Sequence, residues 1–430
     1  MRRDSRIESV TARQIFSIRG HPGIEATVIT GNGARGVAMA TAGVSVGKHE
    51  VQFAYDGGER WGGLGVMKAI SNVSDIIAPA LKGADATKQR KIDEILIELD
   101  GTPNKSRLGG NATASVSAAV LKAGAASLGI PLYQHIGGVN ARTLPTPAVI
   151  TVIGSTRYGG GQKSGGKPSY SFMCYGFNTF SEASYACWEV QAAFHRLTRE
   201  QYGMGISGAM PGFSLIPAGL VEHDRELWGI MTEAINSSGN EGKAGIQVDI
   251  AAGTYYDKDK DVFVGLFSRE DKTKDDLIEI YKNMVKNYPF VILEDPLDED
   301  DYEGHAILAK ELDIQIVGDD LFTTNIERLK HGIEVGACNT ILLKVNQIGI
   351  ISEAFDVVQL AHSKGYGVMP CASRGEGPDI ADYAVGLGVG TIRESGLGPA
   401  ADRFLEIESE LGSRAKFFGR AGFKGLRFKL

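Results

Sequence analysis

The sequence predicts an α/β protein in which an α+β capping domain over residues 1–140 precedes a β/α (TIM-like) barrel over residues 141–430. Three observations predict this architecture. The first part combines a hairpin pattern with helical patterns. The second part alternates short apolar runs with amphipathic stretches. The length of 430 residues also exceeds what a single hydrophobic core usually serves.

The predicted capping domain begins with a hairpin and continues with helices. Two apolar runs, Ile24–Ile29 and Gly36–Thr41, are joined by the turn residues 31–33, which is typical of two antiparallel strands. Val66–Leu81 carries apolar residues at three- and four-residue spacing, and Asn111–Ala126 is rich in small residues. Both stretches predict helices, and the small residues of the second would let it pack closely on its neighbours.

The predicted barrel consists of eight short apolar runs with helical stretches between them. The runs are Pro147–Ile153, Ser171–Tyr175, Gly245–Ile250, Phe290–Glu294, Ile314–Gly318, Thr340–Val345, Gly365–Pro370 and Thr391–Arg393. The clearest helical stretches are Leu277–Asn287, Asn325–Glu334, Ser352–Ser363 and Ala400–Leu411. Most runs are apolar throughout, as expected of parallel strands that are buried on both faces. Eight such runs favour a closed barrel over an open sheet.

Composition excludes several classes of protein. Hydrophobic residues make up 43% and charged residues 23%, which is typical of a globular chain and not of a disordered or collagen-like one. The net charge of −7 argues against binding to nucleic acid or to anionic membranes. No apolar run reaches the roughly 18 residues of a membrane span. The first ten residues lack the apolar core of a secretory signal, and the four cysteines share no CxxC spacing, so we expect a cytoplasmic protein.

Polar residues at the ends of the apolar runs are the candidates for chemistry, because barrel active sites lie at the carboxyl ends of the strands. Asp249, Glu294, Asp319 and Lys344 each end a run. The last three follow one another at intervals of 25 residues, about the length of one βα unit. We therefore expect all four side chains to meet at the mouth of the barrel.

Three carboxylates in an apolar mouth cannot all stay ionised without a cation. Oxygen ligands favour Mg²⁺, which keeps part of its shell for water and substrate. A lysine beside a dication loses its proton more easily, so Lys344 is a candidate general base for removing a proton α to a carboxylate. The simpler alternatives are helix caps for carboxylates such as Asp295 and Asp320 and a buried salt bridge for Lys344. The regular spacing favours the catalytic interpretation.

At these positions, and over almost its whole length, the chain resembles the enolase family of the enolase superfamily. The similar segments are ARQIFSIRGHPGIEATV, IELDGTPNKSRLGGNA, KAGAASLGIPLYQHI, LEDPLDEDD, QIVGDDLFTTN, LLKVNQIG and RFLEIESELG. Several long matches in the same order are more specific than one short motif. The resemblance implies a lyase with an enolase-type barrel, in which the first two strands and helices depart from simple alternation.

The resemblance also implies roles for individual residues. Asp249, Glu294 and Asp319 fall on the family's Mg²⁺ ligands, and Lys344 falls on its proton-abstracting base. The segment AGVSVG is similar to the family's mobile metal-binding loop. Its Ser45 stands where the family's serine reaches a second Mg²⁺ that binds with the substrate, which makes Ser45 a candidate contact for both the metal and the substrate.

Several catalytic residues of the family are absent, which marks this chain as a divergent member. Met210 replaces the glutamate of the acid loop, Ser171 replaces a second acid, and Ala372 replaces a histidine. Departure of water from a β-carbon needs a proton donor, which contributes about 10²–10⁴-fold in rate. We therefore expect proton abstraction to be retained and the ordinary dehydration of 2-phosphoglycerate to be impaired.

Basic residues are kept or gained where the family binds its anionic substrate. The family's Arg-Ser pair for phosphate appears in reversed order as Ser373 and Arg374, Arg393 replaces the lysine that holds the substrate carboxylate, and Arg157 aligns near a family histidine. We expect these residues to bind a small carboxylate that carries phosphate or phosphonate. For Arg393 the alternative is a salt bridge to Glu394 or to another acid at the barrel mouth.

The Gly-rich stretch YGGGQKSGGK predicts a mobile, solvent-exposed loop. Its two lysines, Lys163 and Lys167, are interpreted first as solvated loop residues and only second as ligands for an anion. The high glycine count of the chain, 56 of 430 residues, fits several loops of this kind around the barrel mouth.

The main functional hypothesis is a Mg²⁺-dependent elimination on a phosphorylated or phosphonate hydroxy acid that differs from ordinary glycolytic enolase. The alternatives are a transferase of phosphonate natural-product biosynthesis resembling carboxyphosphonoenolpyruvate synthase, a standard phosphopyruvate hydratase with compensating substitutions, and a non-catalytic binding protein. The retained carboxylates weigh against a non-catalytic protein, because burying them without a cation costs several kcal/mol. The resemblance also implies a homodimer or a homo-octamer.

Overall fold

The computed structural model describes residues 4–17, 20–43, 46–154, 156–203 and 212–428. Its strands are β1 (Ile7–Phe16), β2 (Pro22–Thr30), β3 (Arg35–Thr41), β4 (Thr143–Leu144), β5 (Thr146–Ile153), β6 (Ser169–Cys174), β7 (Ser214–Leu215), β8 (Ala244–Asp249), β9 (Tyr256–Asp257), β10 (Val262–Phe263), β11 (Phe290–Glu294), β12 (Gln315–Gly318), β13 (Thr340–Leu343), β14 (Gly367–Pro370), β15 (Thr391–Ile392) and β16 (Lys416–Phe417).

The α-helices are α1 (Met67–Asn72), α2 (Ala78–Leu81), α3 (Gln89–Asp100), α4 (Gly110–Leu128), α5 (Leu132–Gly137), α6 (Phe180–Tyr202), α7 (Arg225–Ser237), α8 (Lys274–Asn287), α9 (Tyr302–Glu311), α10 (Ile326–Val335), α11 (Val345–Ile348), α12 (Ile351–Ser363), α13 (Ile380–Leu387) and α14 (Pro399–Leu411). The four helical stretches predicted for the barrel fall within α8, α12 and α14 and, apart from its first residue, within α10.

The capping domain is a three-stranded antiparallel sheet with helices packed on it. The order is β1-β2-β3, and the predicted hairpin is formed by β2 and β3. The helix α4 lies against β3 so closely that a side chain on Gly36 would collide with the carbonyl oxygen of Ala119. This close contact explains why the helix is rich in small residues, and the helix is buried along most of its length.

Two local features of the capping domain differ from the predicted elements. The strand β1 is missing from the predicted runs, because most of its side chains are exposed or half-buried at the edge of the sheet and do not form an apolar run. The predicted helix Val66–Leu81 is divided into α1, a π-helical turn at Val73–Ile77, and α2. Pro79, near the start of α2, has no N–H to continue the preceding ladder of hydrogen bonds.

The second part of the chain is the predicted barrel, and all eight predicted runs coincide with strands. Their order is β14-β13-β12-β11-β8-β6-β5-β15. A parallel bridge between Cys371 and Arg393 joins the ends of the two outermost strands, β14 and β15, and closes the circle. The pairs are parallel except that β6 runs antiparallel to both β5 and β8. The expected departure from simple alternation at the start of the barrel is therefore confirmed.

No single helix in the described ranges is long and apolar enough to cross a membrane. The helix α4 and residues 132–140 meet the requirements of length and composition only as a pair bent by 95°.

Candidate active site

The predicted catalytic side chains meet at one end of the barrel. Asp249 and Glu294 are the last residues of β8 and β11, and their backbones are direct neighbours in the sheet. Asp319 and Lys344 immediately follow β12 and β13. All four side chains are buried. The structure thus brings together the four residues that the strand ends single out, and they carry three potential negative charges and one positive charge.

Arg393 connects two of the carboxylates. Its Nη2 lies 2.6 Å from Oδ2 of Asp249, and its Nη1 lies 2.8 Å from Oε1 of Glu294. The same guanidinium lies 3.2 Å from Oε1 of Glu394 and donates to Oγ of Ser169. The structure therefore shows the salt-bridge alternative for Arg393. A substrate carboxylate at Arg393 would have to compete with the carboxylates of Asp249, Glu294 and Glu394.

Lys344 forms a buried ion pair with Asp319 across the ends of two neighbouring strands. Gln347 donates to the other oxygen of Asp319 at 2.8 Å, so both oxygens of this carboxylate are engaged. Burial opposes the charged ammonium, but the Asp319 carboxylate outweighs it and raises the pKa of Lys344 above its ordinary value. Burial by itself would raise the pKa of Asp319, whereas the Lys344 ammonium holds that pKa at about 2.

This pairing sets a condition on the predicted role of Lys344 as a base. In the observed arrangement Lys344 keeps its proton, because the proton carries the charge that balances Asp319. Lys344 would release its proton and act as a base only if another positive charge approached the same carboxylate. A cation bound by Asp319 would meet this condition.

A second lysine reaches the carboxylates from the Gly-rich loop. Nζ of Lys167 forms an ion pair with Oδ2 of Asp249, and the lysine side chain is 16% exposed. Burial, followed by the positive charge of Arg393, lowers the pKa of Lys167 to about 8. The interpretation of Lys167 as a solvated loop residue is therefore wrong. Lys163, in contrast, is exposed, as expected.

Sequence analysis could have found Lys167 from the direction of one strand. The strand β6 runs antiparallel to β8, so its first residue, Ser169, lies beside Asp249 at the carboxyl end of the parallel strands. Residues that precede β6 therefore arrive at the mouth of the barrel. The residue that follows each apolar run marks the barrel mouth only for parallel strands. For an antiparallel strand such as β6, the residues that precede the strand lie there instead.

A further group of carboxylates adjoins Asp319. Potential ligand atoms of Asp295, Asp319 and Asp320 all lie within 4.8 Å of one another. The two oxygens of Asp295 accept hydrogen bonds from the backbone N–H groups of Asp319 and Asp320, at 2.9 and 2.8 Å. Asp295 therefore shapes the turn after β12. Neither Asp295 nor Asp320 caps a helix, since the N-caps of α9 and α10 are Asp301 and Asn325.

The pKa values of these two carboxyl groups are shifted in the opposite direction from that of Asp319. Burial, followed by the charge of Asp320, raises the pKa of Asp295 well above its ordinary value. Burial, followed by the charge of Asp319, raises the pKa of Asp320 to about 7. Of these three residues, Asp319 is the one that forms an ion pair with a lysine in the described structure, and it is the one whose pKa is lowered.

Arg374, predicted to bind the substrate, pairs with the capping domain. Its Nη2 donates to Oε1 of Glu50 at 2.5 Å, and its Nη1 donates to the other oxygen of that carboxylate. Both side chains are buried, and the backbone oxygen of Arg374 accepts from the N–H of Thr41. This pair joins the two parts of the chain. A substrate anion at Arg374 would compete with Glu50.

Arg157 lies in a separate buried cluster. Its Nη2 is 2.8 Å from Oδ2 and 2.9 Å from Oδ1 of Asp224, and its Nε also donates to this carboxylate. The hydroxyl groups of Tyr158 and Tyr170 donate to the same aspartate. The structure assigns Arg157 to this internal ion pair, because a buried guanidinium stays where its counter-ion is. It gives no support to the predicted contact with substrate.

The remaining predicted residues occupy different surroundings. Ser45 and Met210 lie outside the described residues. Ser373 and Ala372 line a cavity of about 350 Å³ together with Thr41 of the capping domain and Glu394. Ser171 is buried in β6, where it pairs with Gln247 of β8. Neither Ala372 nor Ser171 carries an acid or an imidazole that could donate a proton near neutral pH.

A cavity of about 920 Å³ opens at the mouth of the barrel. Asp295 and Asp320 belong to its lining, so it reaches the carboxylate group. Three lysines also line it, namely Lys48, Lys163 and Lys260. Lys48 pairs with Glu299 and Asp300, and Lys260 pairs with Asp257, so these acids offset much of this positive charge. The volume is ample for a small phosphorylated carboxylate.

Comparisons with known proteins agree with this geometry. The family model described as "Enolase, N-terminal domain" matches residues 7–136, and the model described as "Enolase, C-terminal TIM barrel domain" matches residues 142–425. A protein named Enolase from Methanocaldococcus jannaschii is 42% identical over 96% of this chain and 97% of its own length. Enolases from Methanopyrus kandleri (97% of this chain, 99% of the relative) and Bifidobacterium animalis subsp. lactis (98% and 99%) are 41% and 39% identical. The fold, the placement of the carboxylates and these similarities show that the chain belongs to the enolase family, whose members are hydro-lyases of the enolase superfamily.

Proposed function

We propose that this chain is a Mg²⁺-dependent hydro-lyase that acts on a small phosphorylated carboxylate of the 2-phosphoglycerate type. The observation that carries the proposal is the meeting of Asp249, Glu294, Asp319 and Lys344 at neighbouring strand ends, all buried. The relatives given above bear the plain name Enolase, which favours the ordinary substrate over a phosphonate.

The chemistry of the three carboxylates fits a hard divalent cation. Asp249, Glu294 and Asp319 supply only oxygen donors, which Mg²⁺ prefers, and each stands on a different strand of a rigid sheet. These residues would hold the ion. When bound, Mg²⁺ would supply Lewis-acid stabilisation of the negative charge that develops on the substrate carboxylate.

The side chains of the chain itself would then divide the remaining tasks. Lys344 would take the α-proton with Nζ, once its own proton is no longer needed to balance Asp319. Gln347 fixes the orientation of Asp319, and Thr324 in turn accepts from the N–H of Lys344 and donates to Gln347. Lys163, which is exposed on the wall of the large cavity, would attract the phosphate group.

A second candidate function concerns the leaving group. Ser171 and Ala372 stand where the family has an acid and a histidine, and neither side chain can protonate a departing hydroxide near neutral pH. This favours an elimination in which the leaving group departs with less help, or one with a different β-substituent. Proton abstraction by Lys344 would be common to both candidates.

The test is a comparison of two rates on 2-phosphoglycerate with Mg²⁺. Formation of the enol carboxylate is followed by its absorbance, and exchange of the α-proton with solvent deuterium is followed by NMR. Turnover as fast as exchange supports the ordinary hydratase, and exchange without turnover supports the second candidate. Absence of both, with other phosphorylated hydroxy acids included, contradicts the proposal. A cytoplasmic location and assembly as a homodimer or homo-octamer stay predictions.

A further inference from the structure

The structure places a cation at the carboxylates that no sequence motif predicts there. Lys167 reaches Asp249, and it does so beside Arg393, which touches the same oxygen at 2.6 Å. We propose that Lys167 is an internal counter-ion that competes with Mg²⁺ for Asp249, so that metal binds this site only when Lys167 withdraws. The inference rests on the proposed metal site and adds a residue that tunes its affinity.

The loop that carries Lys167 is built to hold it there. The hydroxyl of Tyr255 donates to the backbone oxygen of Lys167, and Oγ of the buried Ser164 donates to the same oxygen at 3.4 Å. Two glycines make the fold of this loop possible. A side chain on Gly160 would collide with the carbonyl oxygen of Val264, and one on Gly161 would collide with the ring of Tyr255. The backbone of Lys167 is therefore anchored against the barrel.

The charges in direct contact explain why Lys167 should compete. Four carboxylates form ion pairs in the cluster, and three cations balance them; the carboxylates are Asp249, Glu294, Asp319 and Glu394, and the cations are Lys167, Lys344 and Arg393. One negative charge remains. A divalent cation added to this cluster would reverse the sign of its charge, which disfavours binding in a buried site.

Withdrawal of Lys167 would change this balance. The cluster would then keep two negative charges, which equal the charge of one Mg²⁺. Of the three cations, Lys167 is the one carried by a loop, whereas Lys344 and Arg393 directly follow barrel strands. A lysine also has a flexible four-carbon stem, so its head group can move away from Asp249 while its backbone stays anchored.

The experiment is a calorimetric titration of the purified, chelator-treated full chain with MgCl₂. Wild type is compared with Lys167→Met and Lys167→Gln, and with Lys330→Met as a control, because Lys330 is an exposed lysine of α10 that pairs with Glu327. We expect both Lys167 variants to bind Mg²⁺ at least about tenfold more tightly than wild type, equivalent to about 1.4 kcal/mol. The control should stay within about twofold of wild type, and Asp249→Asn in the Lys167→Met background should remove the gain.

Melting temperatures provide a second readout. Both Lys167 variants should melt below wild type in EDTA, because Asp249 loses a partner, and MgCl₂ should raise their melting temperatures more than it raises that of wild type. Equal or weaker Mg²⁺ binding by the Lys167 variants would overturn the role of Lys167 and leave the metal site intact. No binding of Mg²⁺ to any of the proteins would instead contradict the proposed function, and the inference with it.

Discussion

Lys344 and Asp319 form a buried ion pair that joins the ends of two adjacent barrel strands. The pair shows how the charge of a buried carboxylate is balanced at this site. Each of the three carboxylates predicted to bind metal has a partner cation from the chain itself. The protein can therefore fold with each of these carboxylates paired before any metal binds, and the partner cations then set how readily the metal binds.

Arg393 should be important for stability. Replacement of Arg393 by methionine leaves the Glu294 carboxylate, among the described residues, with the amide of Gln247 as its hydrogen-bond partner. It also removes one of the two cations at Asp249. Breaking a buried ion pair from one side costs about 3–5 kcal/mol, and we expect a loss of that size in urea unfolding in EDTA. Arg393→Lys should lose less, because it keeps the charge but not the fork that reaches both carboxylates. A loss in the free energy of unfolding below about 1 kcal/mol in Arg393→Met would contradict the role of Arg393 as the counter-ion of the two carboxylates.

Glu50 and Arg374 should couple the capping domain to the barrel. A double-mutant cycle with Glu50→Gln and Arg374→Met should give a coupling energy of about 1–3 kcal/mol, since both side chains are buried. The control is the pair of Lys48 and Asp300, which also crosses between the two parts but is exposed. Its coupling should fall below about 1 kcal/mol. Additive effects at Glu50 and Arg374 would refute the proposed link.

Acid should destabilise the protein in part through His223. Burial, followed by the charge of Arg225, lowers the pKa of His223 to about 4, and Nδ1 of its ring accepts from the N–H of Arg225. The unfolded chain takes up a proton near pH 6.5, whereas the folded chain does not until about pH 4. The contribution of neutral His223 is therefore present above pH 6.5 and is lost as the pH falls towards 4.

The measurement is the urea midpoint of wild type and His223→Asn between pH 7.5 and 4. The asparagine oxygen offers an acceptor to the same N–H but does not titrate in this range. The difference in stability between the two proteins should shift in favour of the variant as the pH falls. A difference that is constant over the whole range would rule out His223 as a contributor.

The sequence was most informative where the barrel repeats. Each βα unit combines a run that is buried on both faces with an amphipathic helix, and both patterns are strong, so the strands and their polar ends could be predicted. That Asp249, Glu294, Asp319 and Lys344 share one end follows from the parallel direction of their strands. The edge strand β1 could not be predicted in this way, because its burial is slight and it has no apolar run.

The pairing of charges was harder to predict than their positions. Arg374 and Arg393 stand where a family resemblance suggests substrate contacts, but their partners, Glu50 and Asp249, are distant in sequence and no local pattern connects them. Lys167 was assigned to solvent because glycine and lysine dominate its surroundings in the sequence. In the fold, the same glycines allow the close approaches that bring the lysine inward.

The central claim is that Lys344 removes the α-proton of the substrate. The most direct measurement is NMR detection of exchange of the α-proton of 2-phosphoglycerate with D₂O in the presence of Mg²⁺, for wild type, Lys344→Ala and the control Lys330→Ala, an exposed lysine of α10. We predict exchange by wild type and the control, and a loss of at least about a hundredfold in Lys344→Ala. Exchange that persists in Lys344→Ala would contradict the account.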